Sequence, residues 1–145
     1  MAMGTSTPSA HPRLVPEFAI ADIVRSLAFY VGVLGFRILW ERPEEGFAYL
    51  EREGAELMLD VPGANPWLAG PLQHPYGRGV SLQIEVSDVN ALHAAVLAAG
   101  APIFLPMEDK WYRAGDDLLG NRQFIVLDPD GYLLRFFGNL GRRVA

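Results

Sequence analysis

The chain has 145 residues, about one domain on a prior of roughly 150 residues per domain. Half of it is apolar and 20% is charged, enough apolar surface for a packed core, which excludes broad disorder. It has no cysteine, which excludes disulfides, thiolate metal sites and cysteine nucleophiles, and its net charge of −5 argues against nucleic-acid binding, which needs a basic face.

The acidic balance suits neutral or cationic small molecules. Residues 1–13, MAMGTSTPSAHPR, are rich in Ser, Thr and Pro and lack the apolar run of a secretory signal, so a flexible N-terminal tail is expected. No stretch approaches the ~18 apolar residues of a membrane span, so a cytoplasmic protein without a membrane partner is expected.

Residues 14–21 alternate as a strand, with Phe18 and Ile20 on one face and Pro16 near the start. Asp22 is a helix N-cap, and Ile23, Leu27, Tyr30 and Leu34 form an apolar stripe at helical spacing that Gly35 closes. Strands are expected at 36–42, 47–52 and 55–61, separated by turns at 43–46 and 53–54. Residues 62–79 carry four prolines and Gly63, Gly70, Gly77 and Gly79, a long loop of the kind that often carries function.

The pattern then restarts. A strand at 80–86 leads to the cap Asp88 and to a helix at 89–99 with Val89, Leu92 and Val96 on one face, stopped by Gly100. A strand begins at 102–105, a polar and aromatic stretch fills 107–120, and strands at 121–127 and 132–137 flank the turn Asp128-Pro129-Asp130-Gly131. The order βαβββ thus occurs twice at a period of about 65 residues, an internal duplication. The expectation is a single α+β domain at 14–145, with modules at 14–61 and 80–138 joined by the loop 62–79. Their sheets would cup a ligand site between the repeats.

The residues carry a family likeness. SLAFYVGVLGF at 26–36, QIEVSDV at 83–89 and DPDGYLLRF at 128–136 resemble the vicinal oxygen chelate superfamily, which includes glyoxalase I, extradiol dioxygenases and bleomycin resistance proteins. RPEEGFAYL at 42–50, YGRGVSLQIEV at 76–86 and WYR at 111–113 are similar to the bleomycin resistance branch. In metal-bearing members four strands each give one ligand. By spacing from Asp22, Asp88 and Asp128, those places fall on Val15, Ser81 and Arg135, with Met58 on the fourth strand. None is a usual hard-metal donor, so no metal, no cofactor and no catalytic residue are expected.

Alternation points Gln83 and Glu85 toward the site with Arg135, and Glu17, Glu56 and Asp60 from the first module. The residues leave open whether Arg135 is held by Glu85 or Glu56, a pairing compatible with ligand binding. Trp67, Trp111 and Tyr112 are further candidate ligand contacts, weighed against plain packing; His93 reads as a surface residue and His74 as an exposed loop residue. The resemblance implies a homodimer that sequesters bleomycin-type glycopeptide antibiotics, metal-free or metal-loaded, in a groove between subunits. Trp40 and Phe47 match the groove aromatics, Asp60 a polar groove position, and Pro16 the proline where the N-terminal strand crosses to the other subunit. Leu39 and Leu119 depart from an acidic residue and a tryptophan. The alternatives are a metal-dependent lyase or dioxygenase, or a binding module for another small molecule.

Overall fold

Three residues after the first strand, β1 (Glu17–Ala19), Asp22 starts the first helix, its carboxylate accepting the Arg25 backbone N–H at 3.1 Å. In this computed structural model, which describes residues 12–64 and 66–145, that helix is α1 (Ile23–Tyr30). All of the expected tail but Pro12 and Arg13 lies outside the described residues. The regular helix stops short of Leu34. The Leu34 N–H reaches back to the Phe29 carbonyl and the Phe36 N–H to the Tyr30 carbonyl, a closure that Gly35 permits at φ +81°. Three strands follow, β2 (Arg37–Arg42), β3 (Phe47–Arg52) and β4 (Ala55–Asp60).

The second module repeats the plan. After β5 (Ser81–Glu85), Asp88 accepts the Ala91 N–H at 2.9 Å and opens α2 (Val89–Ala98). Then come β6 (Ile103–Ala114), β7 (Asp117–Leu127) and β8 (Leu133–Val144). Each module makes its own four-stranded mixed sheet, in the orders β1-β4-β3-β2 and β5-β8-β7-β6. The first strand of each module runs parallel to its last, Glu17 opposite Met58 and Gln83 opposite Arg135.

One core joins the modules. Phe18, Ile20, Tyr30, Leu34, Leu50 and Leu59 from the first meet Ile84, Val96, Phe124, Val126, Leu134 and Phe136 from the second. Each such large side chain contributes about 1.5–3 kcal/mol over its exposed state. The 128–131 turn fastens the modules together. The Tyr30 hydroxyl donates to Asp128 at 2.8 Å, Arg25 pairs with Asp130 at 2.8 Å, and the Tyr132 hydroxyl donates to the Ala19 carbonyl. Phe18 stacks on Tyr132 at 3.9 Å.

Three expectations change. The stretch 107–120 is a continuous antiparallel ribbon, because β6 and β7 pair from Ile103 opposite Val126 out to Ala114 opposite Asp117. The last strand extends to Val144 alongside it, opposite Asp117. His93, next to the buried Leu92, is half-buried, its ring edge-on to Phe124 at 5.0 Å. Among the described residues no helix is long and apolar enough to cross a membrane.

Candidate ligand-binding site

Strand alternation gives each sheet a core face and an open face. On β3, Ala48 and Leu50 enter the core while Phe47 and Tyr49 take the opposite face, where other side chains keep both buried; β4 adds Glu56, Met58 and Asp60 to that face, and β1 adds Glu17. Trp40 should by parity side with Ile38, which packs on the core. A β-bulge at Leu39 moves the register, so that Ile38 faces Leu50 while Trp40 faces Tyr49. Trp40 then stacks on Tyr49 with ring centroids 3.9 Å apart and planes 18° apart, and remains 48% exposed.

Glu17, Asp60, Arg42, Phe47 and Trp67, among others, line a hollow of about 430 Å³ that does not include this pair. Phe47 is no bare wall, since the Arg42 guanidinium covers its ring at 3.9 Å and also binds Glu45. Trp67, on the long loop, is almost fully exposed. Burial raises the Glu17 carboxyl above its ordinary value, Asp60 adds to that, and Arg42 partly offsets it. Glu56 accepts the Tyr49 hydroxyl at 2.5 Å; burial and that carboxylate push the phenol up to about 12.

The second module's open face is a polar network. Gln123, buried in the sheet, donates to Glu108 at 2.9 Å and to the Tyr112 hydroxyl at 2.6 Å. Arg135 donates to the same hydroxyl at 3.3 Å and to Gln83. Arg135 thus sits against amide and phenol oxygens, not against Glu85 or Glu56 as the sequence left open. A hollow of about 460 Å³ here is lined by Gln83, Glu85, Tyr112, Asn121, Phe137 and neighbours. Trp111 takes the other face of β6, lying across Gly120 with the Arg143 guanidinium 3.8 Å over its ring.

The acidic groups expected to share one cavity therefore divide. Glu17 and Asp60 belong to the first hollow, Glu85 to the second, and Glu56 is bonded to Tyr49. Residues missed from the sequence include Tyr49, Arg42, Gln123 and Glu108; period-two spacing from Phe47 could have found Tyr49, whereas the bulge left no signal. The four residues that the resemblance puts at metal places, Val15, Met58, Ser81 and Arg135, offer no imidazole or carboxylate to a divalent ion. Among the described residues no three His, Asp or Glu side chains come together as a metal cluster. β1 pairs with β4 of its own chain, the Pro16 carbonyl accepting the Met58 N–H at 2.9 Å.

Paired βαβββ modules with a shared core and polar open faces define a chelate-type α+β domain whose chemistry lies on its sheets. The Glyoxalase/Bleomycin resistance protein/Dioxygenase superfamily matches residues 14–136, and the chain belongs to it. It is similar to a bleomycin resistance protein of Geobacillus stearothermophilus, 28% identical over 134 residues that cover 85% of this chain and 93% of that one. It is also similar to a lactoylglutathione lyase of Haemophilus influenzae, 31% identical over 124 residues, 83% and 87% of the two chains. Among solved structures it resembles TioX from Micromonospora sp. ML1, with a TM-score of 0.66 and 30% identity over 87% of this chain and 98% of that one.

Proposed function

We propose that the chain is a non-catalytic, cytoplasmic binding protein that, as a homodimer, sequesters bleomycin-type glycopeptide antibiotics and so confers resistance. The observation that carries this reading is the half-exposed Trp40, stacked on Tyr49 on the same sheet face as Glu17 and Asp60. A flat cationic drug, metal-free or metal-loaded, gains stacking, cation–π attraction and charge complementarity there, and needs no nucleophile or general base. The bleomycin resistance relatives support the same reading.

The two open faces line separate hollows, so a groove needs the first face of one copy against the second face of another. Trp40, Phe47, Asp60 and Trp67 then stand across from Gln83, Glu85, Tyr112 and Arg135, with Trp111 on the ribbon beside them. Pro16 is where the chain before β1 would reach the other copy; Leu14, just before it, is 80% exposed. Calorimetry with metal-free and copper-loaded bleomycin, with light scattering on the same sample, tests both points. Binding by a dimer that Trp40→Ala weakens supports the proposal, and absence of heat with both drug forms overturns it.

The lyase relative favours a second reading, a metal-dependent enzyme. Metal analysis of protein purified without a histidine tag decides it: a stoichiometric divalent ion would establish that reading and overturn the argument from Val15, Met58, Ser81 and Arg135.

A further inference from the structure

The hydroxyl of Tyr112 is committed as an acceptor twice. Gln123 Nε2 donates to it at 2.6 Å and Arg135 Nη1 at 3.3 Å. The direction of the first bond is fixed by Glu108, whose carboxylate can only accept, so the Gln123 amide must turn its nitrogen to both groups. A phenol oxygen with both lone pairs engaged has only its own hydrogen left to offer, and no acceptor for it stands among the described residues. The guanidinium beside it is also incompletely used, with Nε buried and without a partner and no carboxylate bound to it. Gln83 accepts from Arg135 through its oxygen, which leaves its amide nitrogen free to donate.

The Tyr112 hydroxyl and the Gln83 amide converge where Glu85 supplies the opposite chemistry. Gln83 and Glu85 are two residues apart on β5, so they share a face, and both line the second hollow with Tyr112. The Glu85 carboxylate is without a hydrogen bond or ion pair among the described residues. A carboxylate ligand would meet Glu85 as a like charge, and an amidinium would meet Arg142, which lines the hollow beside its partner Asp117, the same way. A neutral carboxamide satisfies both sides, its oxygen accepting from the Tyr112 hydroxyl, which Arg135 and Gln123 hold in place, and its nitrogen donating to Glu85. We propose that this hollow is a carboxamide-recognition subsite, with the Tyr112 hydroxyl as its specificity-determining donor and Gln123 as the residue that positions it. The proposal deepens the binding function above and rests on it only for the identity of the large ligand that carries the amide.

Three probes of one shape test it, benzamide, benzoate and benzamidine, titrated into the full-length ¹⁵N-labelled protein and followed by NMR at the Gln83 and Gln123 side-chain amides. Benzamide should shift these signals saturably and bind most tightly of the three. Tyr112→Phe, which keeps the ring, should weaken benzamide by about tenfold, the loss of one well-made hydrogen bond to a charged cluster. Glu85→Leu, at an exposed position that the fold tolerates, should reverse the order so that benzoate binds more tightly than benzamide. Benzoate or benzamidine outranking benzamide in the wild type, no movement of the two amides, or full benzamide binding by Tyr112→Phe would each overturn the proposal. The drug is not used, so a chain that fails to bind bleomycin yet takes benzamide loses the resistance function and keeps this site.

Discussion

Trp40 lies on Tyr49 because Leu39 lies between the ladder positions. Its neighbour Ile38 faces Leu50, and the extra residue rotates the strand so that the indole reaches the open sheet face. The bulge thus converts a position whose parity belongs to the core into an exposed aromatic platform. Leu39 itself, a bulged residue on edge strand β2, is left out of the pairing.

Deleting Leu39 should restore regular alternation and turn Trp40 away from Tyr49. Near-ultraviolet circular dichroism should lose the signal of the stacked pair, and bleomycin affinity should fall at least as far as in Trp40→Ala. A truncation of this kind at a groove anchor typically costs about 2 kcal/mol, roughly thirtyfold in Kd. An unchanged spectrum would show that the stack does not depend on the bulge.

Binding of a cationic ligand should weaken on acidification earlier than an ordinary carboxylate would predict. Burial and the neighbouring Asp60 raise the Glu17 carboxyl, and a raised carboxyl takes up its proton at higher pH. The attractive, ionised form is present above that value and is lost as pH falls through it. Calorimetric affinity measured from pH 7 down to 4 should show this loss, and Glu17→Gln should flatten the upper part of the curve.

Tyr30→Phe should destabilise the fold by about 1–3 kcal/mol without touching either open face. It removes the hydroxyl that donates to Asp128, leaving a buried carboxylate oxygen without that partner. Urea unfolding gives the size, and unchanged benzamide and drug titrations would place the effect in the joint between modules.

The protein should lose stability between about pH 10 and 12. Tyr49 and Tyr132 are both held up to about 12, chiefly by burial, with Glu56 acting on the first and Asp128 on the second, and burial raises Tyr30 as well. An unfolded tyrosine ionises near 10, so above that pH the unfolded state releases protons that the folded state keeps, and folding stability declines until the folded groups titrate too. Absorbance titration at the phenolate band should show these tyrosines ionising late, together with unfolding.

Much of this fold can be read from the chain by local rules. Asp22 and Asp88 cap as their spacing says, and Gly35 and Gly100 sit at φ +81° and +70° at matching helix ends. The ribbon of β6 and β7 was hidden because Pro106 interrupts it at a register shift between Leu105 and Glu108 and because charged residues blur its alternation. The site was legible residue by residue but not in its grouping. Alternation gave Gln83 and Glu85 their face, yet it cannot say that Glu17 and Asp60 open onto a different hollow, or that Arg42 lies over Phe47. Those facts depend on how two sheets share one core, a long-range matter with no local period.

The separation of the two hollows has a genetic consequence. If each groove is built from unlike halves of two copies, damage to one half travels with one subunit. A chain bearing Trp40→Ala and a chain bearing Tyr112→Phe would each form dimers in which both grooves are crippled. Mixed together, they would form heterodimers in which one groove collects both lesions and the other collects none. Two alleles that each fail alone would then rescue one another in the same cell, at up to half the normal number of working grooves per mixed dimer.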